Sequence, residues 1–264
     1  MEHEAAIRLS IFLSIFGILS LVEVLHPRRA RVVTRRKRWI TNWGIILVDT
    51  LALRLLALVL PLLAVGAAVD AHTLGLGLLN IVNLPIAIEF ILAILVLDFA
   101  IWLQHLLTHK IPFLWRLHRV HHADRDMDVT TAIRFHPIEI LLSMLLKIAL
   151  IYILGPSAIA VIVFEIMLNG LAMFNHANIH LPQRVDQIVR KIIVTPDMHR
   201  VHHSVERNEH DANYGFALSI WDKIFGTYVD QPHKGHANMT VGLQWQDKHP
   251  DQLWWSLWLP FRRK

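Results

Sequence analysis

Two stretches of the chain spell the same five residues, His118-Arg119-Val120-His121-His122 and His199-Arg200-Val201-His202-His203. On a helix, positions i, i+3 and i+4 share a face, so each copy is expected to present three imidazoles to one point. Both copies follow a plausible helix start. Pro112 opens the first with its fixed φ, and Thr195-Pro196-Asp197 reads as N-cap, first helical residue and first-turn acid for the second. Two further pairs have i, i+4 spacing, His105 with His109 and His176 with His180. A lone histidine is ordinarily a surface residue or a satisfied polar group. Two such triplets and two such pairs among 18 histidines are not explained that way. His105, His109, His118, His121, His122, His176, His180, His199, His202 and His203 are therefore read as metal ligands, enough for two ions. His3, His26, His72, His210, His233, His236 and His249 lack the spacing and are read as ordinary surface residues.

Imidazole suits zinc, copper, iron and nickel. A hydrolytic zinc site needs about three protein ligands, a water and a base, and ten histidines exceed that demand. Neutral nitrogen ligands leave a high positive charge on the metals, which favours reaction with reduced oxygen. Placed at a membrane surface, such a site points to a lipid substrate. The competing reading is a non-redox metal protein, either a zinc-dependent membrane hydrolase or a metal transporter. A transporter would carry ionisable ligands at mid-membrane along a path, whereas these clusters fall at one face. With no cysteine in the chain, disulfides, thiolate zinc sites and cysteine-ligated iron–sulfur clusters are excluded.

The elements that position these residues are apolar. The 264 residues are 54% hydrophobic with mean hydropathy +0.42, and the apolar runs are too long for a soluble core. The first runs from Ala5 to Leu25 and reads as a retained span, not a signal peptide. A second runs from Trp43 to Ala64, broken near its end by Pro61; Arg54 inside it should face protein or water. The stretch from Val65 to Leu84 is only weakly apolar, and its Gly75-Leu76-Gly77 lacks the strand–helix setting of a dinucleotide loop. Pro85 opens a third run through Leu107. Ile138 to Leu154 and Ser157 to Phe174 form a helical hairpin split by Gly155-Pro156, short for spanning segments. In the tail, Ile188 to Val194 reads as a short amphipathic segment. Leu253 to Phe261 suits either an interfacial anchor or ordinary packing, with nothing to choose between them.

Arg28, Arg29, Arg31, Arg35, Arg36, Lys37 and Arg38 supply much of the formal charge of +5. They lie between two apolar runs, so anionic headgroups and the positive-inside bias explain them better than nucleic acid, and no nucleic-acid partner is expected. If this loop is cytoplasmic, counting spans brings all four histidine clusters and the carboxy terminus to the cytoplasmic side. The expected architecture is all-α: a polytopic membrane bundle of about four or five spanning or re-entrant helices, with a cytosolic helical cap holding a dimetal site. It is a single domain over 1–264, with spans and basic loop in 1–97, the histidine-rich core in 98–228 and a tail in 229–264.

The order His105-x3-His109, His118-x2-His121-His122, His176-x3-His180, His199-x2-His202-His203 resembles the fatty acid hydroxylase / sterol desaturase superfamily of membrane di-iron oxidases. Asp98-Phe99-Ala100-Ile101-Trp102 is similar to that family's lead-in, with Trp102 where a tyrosine is usual. Arg134-Phe135-His136-Pro137, Asn175-His176-Ala177-Asn178-Ile179, Asp211-Ala212-Asn213-Tyr214-Gly215 and Trp221-Asp222-Lys223-Ile224-Phe225-Gly226-Thr227-Tyr228 also look like its signatures. The resemblance spans Asp98 to Tyr228. It implies two iron ions, replaceable by zinc, molecular oxygen as co-substrate, and hydroxylation or desaturation of a membrane lipid. Because the chain shows no flavin, haem or thiolate motif, an external electron donor of ferredoxin or cytochrome type is implied. By the same resemblance the ten clustered histidines are the ligands. His136 is expected beside them or as a cap on the helix at Pro137. Asn178, Asp211, Asn213 and Tyr214 are expected to partner the ligands' other ring nitrogens, and Asp98 either to face the metals or to be a buried structural acid.

Overall fold

The computed structural model describes residues 3–60, 63–245 and 249–262. The long helices are α1 (Glu4–Leu25), α2 (Arg35–Val59), α5 (Ile86–Lys110), α7 (Pro137–Leu154) and α8 (Ala158–His176). Short helices α3 (Ala64–Thr73) and α4 (Leu78–Ile81) join α2 to α5, and α6 (Pro112–His122) follows α5. Beyond α8 come α9 (Gln183–Val189), α10 (Pro196–His202), α11 (Arg207–His210), α12 (Ile220–Ile224), α13 (Gly235–Asn238) and α14 (Leu253–Trp258). Among the described residues there is no strand, only isolated bridges such as Pro27 with Ile179. Five stretches, those containing α1, α2, α5, α7 and α8, are long and apolar enough to cross a membrane.

Sequence punctuation sets the boundaries. Pro112 and Pro137 sit at the first positions of α6 and α7, where the missing N–H costs nothing. Gly155 ends α7 at φ +70. A Cβ at Gly77 would fall 2.3 Å from the Gly155 backbone nitrogen, so the two glycines let the α3–α4 connection close on the α7–α8 turn. Ala64, Ala67, Ala68 and Ala71 form an i, i+3, i+4, i+7 stripe on α3, fully or almost fully buried. Ala64, Ala67 and Ala68 pack on Ile151 and Val161, the small side chains permitting close approach. Pro61 lies outside the described residues. Arg54 is exposed on the flank of α2.

The basic loop differs from its expected role. The helix α2 begins at Arg35, eight residues before the apolar run, because its cations have protein partners. Arg38 is 2% exposed and bonds Asp124 at 2.7 Å through both Nε and Nη2, and Asp128 at 2.7 Å. Burial alone would raise the Asp124 carboxyl, but the Arg38 guanidinium holds it at about 2. Arg28 pairs with Asp197 at 3.1 Å, Arg35 with Glu23 at 3.1 Å, and Arg29 donates to the Met239 carbonyl. Three of the seven cations, Arg28, Arg29 and Arg38, thus strap the ends of α1 and α2 to the cap, and Arg35 ties α2 to α1. The tail packs on the bundle, one of its two expected uses: Trp255 and Leu259 lie against Ile45, Val120 and Ala123, while Trp254, Trp258 and Phe261 are exposed.

Candidate metal centre

Nine imidazoles gather at the end of the bundle where α5 and α8 finish, supplied by these two helices, by α6 and by α10 with the residue after it. They form two groups whose ligand atoms lie within 4.8 Å of one another. The first is His105, His109, His118, His122 and His202; the second is His121, His176, His199 and His203. Eight of the nine are 3% exposed or less and His109 is partly buried. Thr195 caps α10 as its sequence predicts, accepting from the Met198 N–H.

Each repeated word splits between the groups instead of meeting at one point. His118 and His122 enter the first group and His121 the second; His199 and His203 enter the second and His202 the first. Helical geometry explains this, since i and i+4 diverge by about 40° and adjacent residues by about 100°. His180 joins neither group and is exposed. The reading of His176 and His180 as one helical face fails because α8 stops at His176 and Ala177 is extended. From there the backbone bridges to the loop after α1, with the His180 N–H donating to the His26 carbonyl.

The Nδ1 side of most ligands is fixed. A carbonyl can only accept, so the Nδ1–H donates in His105 to Tyr214 (2.7 Å), His121 to Arg134 (3.2 Å), His176 to Ala172 (2.7 Å) and His202 to Ala212 (2.7 Å). His118 Nδ1 meets the Glu139 carboxylate at 2.7 Å. Their Nε2 atoms therefore carry lone pairs, and these converge: His105 with His118 and His121 with His176, each at 3.1 Å, while His199 Nε2 also lies 3.1 Å from His176 Nε2. Between His121 and His176 no proton is left to share, so the two lone pairs repel. A cation relieves that repulsion. It also takes up lone pairs on buried ring nitrogens without partners, including His122 Nε2, His202 Nε2 and one of the two nitrogens of His203. Burial holds His121, His122, His199, His202 and His203 well below the ordinary imidazole range, and so neutral and able to ligate. The donor set fits two nitrogen-liking transition-metal ions.

The expected partners of these rings behave differently from one another. Tyr214 serves through its backbone carbonyl, while its hydroxyl donates to Asp211 at 2.9 Å; Asp211 also takes Lys110 at 2.7 Å. Asn213, in the left-handed region at φ +53, bonds the Met198 and Val229 backbone and no imidazole. Asn178 holds the backbone of Arg29. His136 is the cap of α7, accepting from Ile138 N–H and facing the Leu257 carbonyl. Asp98 is a buried acid that accepts from Trp221 Nε1 at 2.8 Å. Two residues that hold the site were not among the expected partners. Glu139 orients His118, and its signal was an acid two residues into an apolar run. Asp222 accepts from Trp102 Nε1 and from the Tyr214 and Gly215 N–H groups, which locks α5 to the loop supplying the Tyr214 carbonyl. His236 is not a surface residue: it is 5% exposed and 3.6 Å from Asp197, because α13 folds back over α10.

Two cavities reach the first group, each at different histidines. One of about 370 Å³ runs among the long helices to His105 and His118. The other, about 750 Å³, opens beside the cap and reaches His109 and His122, with Arg116, Arg119 and Arg207 in its wall.

The profile of the fatty acid hydroxylase family matches residues 90–227, just over half of the chain. The protein belongs to that family and is an integral membrane protein. Ornithine lipid hydroxylase OlsE of Rhizobium tropici is 28% identical over 157 residues, 60% of this chain and 46% of that protein. Alkylglycerol monooxygenase of Homo sapiens is 28% identical over 177 residues, 63% of this chain and 38% of the relative. Cholesterol 25-hydroxylase of Rattus norvegicus is 24% identical over 144 residues, 54% and 47% of the two chains. The matched stretch thus spans less than half the length of each relative. No solved structure matches the chain.

Proposed function

We propose that this protein is an oxygen-dependent di-iron oxidase that hydroxylates or desaturates a membrane lipid. The observation that carries the reading is the double imidazole cluster, with five Nδ1 atoms anchored and their Nε2 atoms converging in a water-poor interior. Bound iron supplies the activation of oxygen toward a C–H bond. His105, His109, His118, His122 and His202 would hold one ion, and His121, His176, His199 and His203 the other. In the hydroxylase case one lipid C–H, one O2, two electrons and two protons become one C–OH and one water; desaturation removes a second hydrogen instead.

The protein's own groups supply position and exclusion. Glu139 and four backbone carbonyls hold five of the nine rings against rotation. The cavity among the long helices admits a lipid from the bilayer side to His105 and His118, and its apolar lining, including Ile46, Leu53 and Phe135, sheds water from the chain. The arginine-lined cavity on the cap suits the approach of an acidic external electron donor, of ferredoxin or cytochrome type. By the positive-inside bias, this cap and the carboxy terminus lie in the cytoplasm.

The test is lipid oxidation by protein matured with ample iron, reduced by an artificial electron donor under ¹⁸O2. About two metal ions per chain and oxygen-dependent product, labelled if hydroxylated, are expected. Zinc occupies the site on iron-poor expression and abolishes turnover. Full activity without oxygen, or with one metal per chain, refutes the reading.

A further inference from the structure

The cavity among the long helices is not lined by hydrocarbon alone. Towards the part far from the histidines, Lys147 Nζ donates to Glu165 Oε1 at 2.7 Å, Arg8 donates to Glu165 Oε2 at 2.5 Å, and Arg8 also bonds Glu4 at 2.7 Å. These four charges satisfy one another. Ser143 and Gln104 are bonded at 3.2 Å. Two lining acids keep a buried oxygen without a donor. Asp49 on α2 is 5% exposed, and no hydrogen bond reaches its buried Oδ1. It sits eleven residues beyond Arg38, about three turns along α2 into the bundle from the cap. The other, Glu139, spends Oε1 on His118 and leaves Oε2 without a partner.

A buried carboxyl with no donor is an unfavourable arrangement that proteins seldom keep. Any water that hydrates Asp49 must leave when a lipid fills the cavity. A plain alkyl chain cannot replace that water's hydrogen bonds, so its entry leaves Oδ1 desolvated, and affinity falls. A chain carrying a hydroxyl or an ammonium restores the bond. A site built to hydrogen-bond a substrate group rejects the analogue that lacks it far more strongly than it rejects a change in apolar bulk.

We propose that Asp49 is a specificity-determining residue that accepts a hydrogen bond from a donor group, hydroxyl or ammonium, carried by the lipid substrate in this cavity. The inference rests on the reading of that cavity as the lipid's, and it narrows the substrate class to lipids that bring a polar donor into the bundle.

The experiment measures equilibrium binding to the iron-loaded full chain in phosphatidylcholine nanodiscs, read by tryptophan fluorescence. Four probes are used: dodecanol, its methyl ether, dodecylammonium and dodecyltrimethylammonium. The wild type should bind at least one donor probe about tenfold more tightly than its capped counterpart, as one charge-assisted hydrogen bond implies. Asp49→Leu should lose that preference. Asp49→Asn, nearly isosteric and still an acceptor, should keep a preference for dodecanol and lose one for dodecylammonium, which tells the two donors apart. A wild type that binds each capped probe as tightly as its parent overturns the proposal, even if Asp49→Leu fails to fold. So does retention of the wild-type preference in Asp49→Leu. Binding needs no turnover, so the two readings fail separately. Discrimination among probes without lipid oxidation supports the donor site and removes the oxidase, whereas oxidation without discrimination removes the donor site alone.

Discussion

Glu139 offers the sharpest test of how the site is held. Its Oε1 lies 2.7 Å from His118 Nδ1, and both residues are buried, at 7% and 1% exposure. Glu139→Leu removes the acceptor, frees the ring to turn and strands a buried N–H, a penalty of about 1–3 kcal/mol. Loss of such a partner to a ligating histidine weakens metal binding by about tenfold to a hundredfold, which is about 1.4–2.7 kcal/mol. The two estimates agree. Because His118 belongs to the first group alone, the loss should fall on one ion. Zinc-loaded protein titrated with a competing chelator should release its two ions at separated concentrations in Glu139→Leu, the first shifted about tenfold or more from wild type and the second unmoved. Glu139→Gln keeps an acceptor oxygen and should shift the first ion less. Circular dichroism at each point establishes that the helices persist. If both ions of Glu139→Leu leave at the wild-type concentration, Glu139 does not orient a ligand and the argument from that hydrogen bond is wrong.

Two further outcomes are expected. His203→Ala should abolish turnover and lower bound metal, whereas His180→Ala, altering an exposed side chain outside both groups, should keep most of both; an inactive His180→Ala with metal lost would restore the reading from spacing. His236→Ala is unsuited as a neutral control, since that ring is buried beside Asp197. Metal-free protein should lose stability as pH falls below about 6.5, the unfolded imidazole value. There the unfolded chain takes up protons that the buried His121, His122, His199, His202 and His203 refuse, so the unfolded state gains. Metal-loaded protein should resist to lower pH, and thermal unfolding from pH 8 to 4 with and without zinc measures both.

Much of the fold was legible because proline and glycine mark its joints. The run from Ile138 became α7 one residue earlier at Pro137, and Gly155-Pro156 divides the hairpin as expected. The start of α2 was not legible. Hydropathy sees Arg35 to Arg38 as a loop, and cannot see that Asp124 and Asp128, 86 and 90 residues away, make Arg38 an interior residue. At the site, nine of the ten histidines picked out by spacing lie in the two groups, and His180 does not, because the helix had ended. Spacing could not divide the ligands between two ions, because that depends on where α5, α8 and the two words meet in space. Glu139 and Asp222 were missed for the same reason: each acts on a residue that no local spacing connects to it.

The strap formed by Arg28, Arg29 and Arg38 has a consequence for biogenesis. These cations leave the ribosome early, yet their partners arrive late: Asp124 after 86 residues, Asp197 after 169, and the Met239 carbonyl after 210. Each acid stands two residues from a histidine word, Asp124 behind the first and Asp197 ahead of the second. The amino-terminal hairpin therefore waits in the bilayer with unpaired guanidinium groups until the last quarter of the chain is made. Anionic headgroups are the counterions available to it during that interval. Completion of the cap exchanges lipid phosphate for protein oxygens at these arginines, so assembly of the mature protein should slow in membranes whose anionic lipid holds the arginines too tightly to let go.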